Sequence, residues 1–243
     1  MKGVLLAGGL GSRLLPLTRV TNKHLLPVYD RPMIFYPVRT LVEAGISDIL
    51  IVTGGNNAGD FLKLLGNGSE FGLKHLNYTY QEGEGGIAAA LGLAEHFADG
   101  GPICVVLGDN IIEGSIRNAV HRFRQRGVGA QIFLKEVADP ERFGVPELRG
   151  ARVVKIEEKP KRPKSNFAVT GFYVYDAKVF DHIRDLKPSA RRELEVSDLN
   201  NLYLKAGKLT FSELKGEWYD AGSSFESLFR VNALVARSRG VKF

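Results

Sequence analysis

A single cysteine, Cys104, in a chain of 243 residues leaves no internal disulfide to close, so a reducing, cytoplasmic setting is expected. No apolar run approaches the roughly 18 to 20 residues that cross a bilayer, and no basic-then-apolar leader opens the chain. No membrane partner is expected. The histidines, His24, His75, His96, His121 and His182, include no pair at metal-ligand spacing, and Cys104 sits inside an apolar run, which argues against zinc and thiol chemistry. Standard motifs are missing as well. Ser12 stands in Leu10-Gly11-Ser12-Arg13-Leu14, without the G-x-S-x-G frame of a nucleophile elbow. From Gly9 the third glycine position of a dinucleotide fingerprint is Leu14, and Gly11-Ser12-Arg13 stands where a Walker loop has G-K-S/T.

Acid is the scarcer charge. The 27 Asp and Glu against 33 Lys and Arg give +6, which favours anionic partners. The densest block, Glu157-Glu-Lys-Pro-Lys-Arg-Pro-Lys164, is broken by prolines and acids, and no basic stripe interleaves with aromatics, so no nucleic acid partner is expected and small phosphorylated ligands remain. With 44% hydrophobic and 25% charged residues and no long linker or repeat, the chain has the make-up of one large globular domain.

The first half alternates short apolar runs with amphipathic segments, the pattern of a parallel sheet flanked by helices. The spacing predicts strands over 4–6, 48–52, 74–80 and 103–107, and helices over 32–44, 57–65, 86–97 and 115–126. Gly45 is placed to end the first helix, with Pro32 in its first turn. Past a strand over 130–137 the texture changes, and 143–148 with 152–156 read as a hairpin around Arg149-Gly150, added beside the core sheet. A strand over 167–175, helices over 177–184 and 196–206, a strand over 208–214, the segment Glu217-Trp-Tyr-Asp-Ala-Gly222 and a helix over 224–238 follow. The expected fold is α/β: a single domain with a Rossmann-like, three-layer, mixed but mostly parallel sheet, helices on both faces and a small added β region.

Open parallel sheets bind ligands at the carboxyl ends of their strands, so the loops after 4–6 and 103–107 carry the first candidates. Gly8-Gly9-Leu10-Gly11-Ser12-Arg13 offers amides that can approach an anion closely and an arginine that can fork onto phosphate oxygens; an ordinary tight turn reads the same way. Lys23 supplies a second cation, on a segment bounded by Pro16 and Pro27 that can fold back over the same anion. Asp109, in Leu107-Gly-Asp-Asn110, and Asp220, in Trp218-Tyr-Asp-Ala-Gly222, suit Mg²⁺, which takes oxygen ligands and bridges to phosphates with few protein ligands. Each also suits a plain turn cap.

The opening Leu6-Ala-Gly-Gly-Leu-Gly-Ser-Arg-Leu-Leu-Pro-Leu-Thr18 with Lys23-His-Leu-Leu-Pro27 resembles the sugar-phosphate nucleotidyltransferases. Tyr29-Asp-Arg-Pro-Met-Ile34, Asp139-Pro-Glu-Arg-Phe-Gly-Val145, Glu157-Glu-Lys-Pro160, Pro163-Lys-Ser-Asn-Phe-Ala-Val-Thr-Gly171 and Leu186-Lys-Pro-Ser-Ala190 are similar, in order and approximate spacing, to the glucose-1-phosphate thymidylyltransferase branch of that family. The resemblance runs from the start to about Gly222. It implies an enzyme that joins dTTP and α-D-glucose 1-phosphate into dTDP-glucose and pyrophosphate with Mg²⁺. A UTP-using relative and a non-catalytic nucleotide-sugar sensor are the alternatives, and a homo-oligomer is expected.

The resemblance also implies roles. Gly8, Gly9 and Gly11 would wrap the triphosphate, Arg13 would meet the departing pyrophosphate and Lys23 the phosphate near the reaction. Gln81 and Gly86 would hold the base edge, and Asp109 and Asp220 the metal. Asn110, Gly144, Glu158 and Val169 would contact the sugar, and Lys159 its phosphate. Residues 1–130 would form the nucleotide part, 131–222 the sugar-phosphate part and 223–243 a C-terminal helix. Such chemistry needs charge neutralised and geometry fixed, not a nucleophile on the protein. On a regular strand Glu158 and Lys159 would face opposite ways, so a bulge or strand end is expected there. Ala89 stands where the family commonly has glutamine, and Tyr-Asp-Ala-Gly where it has Leu-Asp-Thr-Gly. Longer members carry a further helical extension tied to subunit contacts and feedback, so reduced or altered regulation is expected.

Overall fold

The computed structural model describes residues 1–55, 57–150 and 152–241. In chain order the elements are β1 (Lys2–Ala7), β2 (Pro27–Val28), β3 (Arg31–Pro32), α1 (Phe35–Glu43), β4 (Asp48–Gly54), α2 (Ala58–Leu65), β5 (His75–Gln81), α3 (Ile87–Gly92), α4 (Glu95–Ala98), β6 (Ile103–Leu107) and β7 (Asn110–Ile112). Then come α5 (Arg117–Arg126), β8 (Ala130–Glu136), β9 (Gly144–Arg149), β10 (Arg152–Glu158), β11 (Phe167–Tyr175), α6 (Val179–Asp185), α7 (Val196–Lys205), β12 (Leu209–Glu213), β13 (Trp218–Asp220) and α8 (Phe225–Ser238).

Strands β1, β4 and β6 are apolar on nearly every residue because both of their faces are covered, as parallel strands require. Among the described residues they lie in a nine-stranded mixed sheet of order β10-β9-β11-β6-β1-β4-β5, with β8 paired to β11 and β12 paired to β8. The β6-β1-β4-β5 portion is parallel, whereas β11 runs antiparallel to β6, β8 and β9. One face packs Val4, Leu6 and Val105 against Ala88 and Leu91 of α3, Val179 of α6 and Leu199 of α7. The other packs Leu5, Ile51 and Val106 against Val38 of α1, Phe61 of α2 and Phe123 of α5. Each fully buried Leu or Phe contributes about 1.5–3 kcal/mol, and the two faces together make the three layers read from the sequence. A third cluster joins Leu14, Val28 and Met33 to Val231 and Val235 of α8. The α8 helix opens on Ser224, whose side chain accepts from the Ser227 amide.

Several expected boundaries move. The helix read over 32–44 begins at Phe35, because Arg31 and Pro32 pair with Val28 and Pro27 in a two-residue ladder; Pro37, not Pro32, is the proline tolerated in the first helical turn. The single helix read over 86–97 is two, α3 and α4, broken at Gly92-Leu93-Ala94 where glycine weakens the helix interior. The small β7 and β13 sheet was not foreseen, since three-residue strands carry too little periodicity. The hairpin read over 143–156 is β9 and β10, which extends the main sheet through β11.

Candidate active site

Parallel β1, β4, β5 and β6 deliver their carboxyl ends to one edge, and the candidate residues gather there. Gly8 and Gly9 follow β1 directly. Gly11 adopts φ +68° ahead of a short 3-10 turn, and a Cβ on it would stand 2.8 Å from Thr18 Cγ2 and 2.9 Å from Lys23 Cβ, so both conformation and space favour glycine. Thr18 Oγ1 donates to the Gly11 carbonyl at 2.9 Å. Two further 3-10 turns, Leu17–Arg19 and Lys23–Leu25, bring the chain back, leaving Lys23 Nζ 3.7 Å from where a Gly9 Cβ would be. The segment folds over the glycine loop as its two cations suggested.

Lys23 Nζ donates to Asp109 Oδ2 at 2.5 Å. Burial alone would strip the Lys23 charge, but Asp109 and then Asp220 more than restore it, and the ammonium is held above its usual range. Burial likewise opposes ionisation of Asp109, yet Lys23, His24 and the hydrogen bonds from Lys23 and Asn110 keep its carboxyl well below the usual range. Asp220 has the opposite fate. Burial, then repulsion from Asp109, pushes it up to about 7. Asp109 holds Lys23 as its ion-pair partner, whereas Asp220, half-buried, feels Lys23, Arg142 and Arg13 only at longer range; two close carboxylates with one paired ammonium favour a further cation.

Neighbours hold this pair in place. Asn22 Oδ1 accepts from His24 Nδ1 at 2.7 Å and from the His24 amide at 3.0 Å, while Asn22 Nδ2 donates to the Ala7 carbonyl at 3.4 Å. Asn110, 2% exposed, accepts through Oδ1 from the Gly171 amide (2.9 Å) and from Trp218 Nε1 (2.7 Å), and donates to Asp109 Oδ1 at 3.0 Å. Its Oδ1 is thus committed to Gly171 and Trp218, and that anchoring aims its Nδ2 at Asp109.

Two clefts meet at this point. The first, of about 280 Å³, is lined by Gly8, Gly9, Lys23, Gln81, Gly86, Asp109, Asn110 and Asp220, with His24, Glu84 and Glu193 beside them. The second, of about 150 Å³, is lined by Arg13, Asn110, Gly144, Glu158, Lys159, Val169 and Asp220, with Arg142, Tyr173, Ser197 and Trp218. The structure therefore brings the sequence-predicted residues together on one continuous surface, except Gly11, which lines neither cleft and acts through the packing of Thr18 and Lys23. Strand β10 ends at Glu158 and Lys159 takes φ +45°; the expected strand end is present, and it lets both side chains face the same cleft. Ser197 Oγ donates to Glu158 Oε2 at 2.6 Å.

Sequence reasoning missed Asn22, His24, Arg142, Tyr173, Glu193, Ser197 and Trp218. His24 adjoins Lys23 in sequence, the one signal that points to it. Burial, then the Lys23 charge, pushes its imidazole down to about 3. The unfolded chain therefore binds a proton near pH 6.5 that the folded chain refuses, so His24 stabilises fully above about 6.5 and this stability is lost as pH falls toward 3. At pH 5 the loss attributable to His24 should be about 2 kcal/mol. Asp220 acts in the opposite direction, so the measurement is the difference between wild type and His24→Gln in urea unfolding at pH 8 and pH 5; the variant should lose that much less.

The sequence profile of the nucleotidyl transferase family matches residues 2–238. The glucose-1-phosphate thymidylyltransferase of Actinoplanes sp. is 46% identical, over 99% of this chain and 80% of its own length. That of Neisseria meningitidis serogroup A is 46% identical over 100% and 85%. A crystal structure from Bacillus anthracis, provisionally described as a glucose-1-phosphate thymidylyltransferase in complex with sucrose, superposes with a TM-score of 0.93 at 52% identity, covering 100% of this chain and 97% of that one. A UDP-glucose pyrophosphorylase complexed with UDP-glucose superposes at 0.85 with 24% identity over 98% of each chain, which speaks for the fold alone. By profile and by near full-length identity, the chain belongs to the nucleotidyl transferase family, on the branch of the glucose-1-phosphate thymidylyltransferases.

Proposed function

We propose that the protein transfers a thymidylyl group from dTTP to α-D-glucose 1-phosphate, giving dTDP-glucose and pyrophosphate. The observation that carries this is the pair of clefts joined at Asn110 and Asp220, one floored by the glycine loop and the other holding Lys159 and Glu158. In this reading the amides of Gly8 and Gly9 cradle the triphosphate, with Gly11 shaping the loop. Gln81 and Gly86 hold the edge of a pyrimidine, the first through its side-chain amide and the second through a backbone group. Lys159 draws in the sugar phosphate, and Gly144, Glu158 and Val169 border the sugar. Asn110 reaches the sugar from the junction.

The reacting groups are two anions, and the protein's task is to let them meet. A sugar-phosphate oxygen attacks the α-phosphorus in line, and pyrophosphate departs on the opposite side. Lys23 screens the phosphate at the junction, and Arg13 forks onto the leaving oxygens, which it has to reach from the second cleft that it lines. The attacking oxygen is already anionic, so no side chain has to take a proton from it. The carboxylates of Asp109 and Asp220 are hard oxygen donors with no third acid grouped beside them among the described residues, a set that fits Mg²⁺ completed by phosphate oxygens. Bound there, the ion would supply neutralisation of phosphate charge. A homo-oligomer belongs to the same reading through the resemblance, and a cytoplasmic setting through the single cysteine, Cys104.

The test is pyrophosphate release with glucose 1-phosphate and each nucleoside triphosphate in turn, with and without Mg²⁺. Metal-dependent release, fastest with dTTP, is expected. Faster release with UTP would reassign the nucleotide, and release with none would remove the enzyme reading.

A further inference from the structure

Among the described residues β10 is the outer strand of the sheet, paired to β9 on one side only. At the pair of Ile156 with Pro146 the Ile156 backbone polar groups turn away from β9: Pro146 has no N–H to offer, and its carbonyl accepts from Ser165 Oγ at 2.6 Å. Ile156 is 2% exposed, so an N–H and a C=O left without partners there would be costly. Asn201 of α7 answers both. Its Oδ1 accepts from the Ile156 N–H at 3.0 Å, and its Nδ2 donates to the Ile156 C=O at 2.7 Å. An amide side chain thus stands where a neighbouring strand would.

One helical turn earlier, on the same face of α7, Ser197 holds Glu158. Two residues beyond Ile156 the strand ends at Glu158, and the chain turns through Lys159. We propose that Asn201 is a positioning residue for the sugar phosphate: by seating α7 on the open edge of β10, it sets the register from which Glu158 and Lys159 reach the second cleft. This rests on the reading of that cleft given above. The helix has other anchors, Tyr203 Oη to Asp176 and Tyr175 Oη to Asn200, each 2.7 Å, so loss of Asn201 should loosen the strand end without releasing α7.

Asn201→Ala is expected to raise KM for glucose 1-phosphate roughly tenfold while KM for dTTP stays within about twofold, and to speed hydrogen exchange at the Ile156 amide. Asn201→Gln, which keeps both an acceptor and a donor one methylene further out, should recover part of the loss. If Asn201→Ala fails to fold, Asn201→Ser carries the same readout. A sugar-phosphate KM that does not move, or equal shifts in both KM values, overturns the proposal. Glu158→Gln measured alongside separates the two levels. If it leaves the sugar-phosphate KM untouched, the reading of the cleft fails; if it raises that KM and Asn201→Ala does not, the positioning role alone fails.

Discussion

Asp109→Asn should lower metal-dependent turnover by about a thousandfold and leave a folded protein. Asparagine keeps the shape and an acceptor oxygen but removes the charge that pairs with Lys23 at 2.5 Å and that the metal reading needs. The half-buried ammonium is not orphaned. Asp220 is held near 7 by burial first and by Asp109 second; with the second cause gone its carboxyl ionises more readily and becomes the partner of Lys23. The loss should therefore appear in kcat, measured as pyrophosphate release at saturating substrates, with little change in the thermal midpoint. Weakened Mg²⁺ dependence of dTTP binding, followed by calorimetry, should accompany it. Near-normal turnover would remove Asp109 from the mechanism.

The layers of the fold were legible because they follow from burial. The runs around Val4, Ile51 and Val105 are apolar on both faces, and only a covered parallel sheet needs that. The loops at Gly8 and Asp109 were legible because strand ends collect ligands. What escaped was contact made at long range by residues with no pattern of their own. Trp218 reaches Asn110 across 108 positions, and Ser197 reaches Glu158 across 39. Asn22 looks like an ordinary polar residue in a loop until its side chain is seen bridging His24 and Ala7. The sequence could suggest Lys23 as a phosphate ligand and Asp109 as a metal ligand; it could not show that they bind each other, with Asp220 left outside that pair. The break between α3 and α4 was signalled by Gly92, but an alanine-rich run hid it.

Gly222 makes the same point as an experiment. Its neighbours in sequence suggest a turn, and its backbone is not in the left-handed region, so conformation alone would admit alanine. Space does not. A Cβ there would lie 2.5 Å from Asp109 Oδ2 and 3.0 Å from both Asp109 Cβ and Lys23 Nζ. The backbone has little freedom to retreat, because the Ala221 amide donates to the Asp109 carbonyl at 2.9 Å, and Asp109 Oδ1 is fixed by Asn110. The added methyl must therefore turn the Asp109 carboxylate away from Lys23. Gly222→Ala should cost at least about a hundredfold in turnover and lower the thermal midpoint by a few degrees, through overpacking of roughly 1–3 kcal/mol. Gly59→Ala is the control: it lies within α2 with nothing within 4 Å of the new Cβ, so activity should hold and stability rise by about 0.5–1 kcal/mol. Full activity in Gly222→Ala would mean that the carboxylate can shift without consequence, and the rigid Lys23 and Asp109 pair would then not be what the reaction depends on.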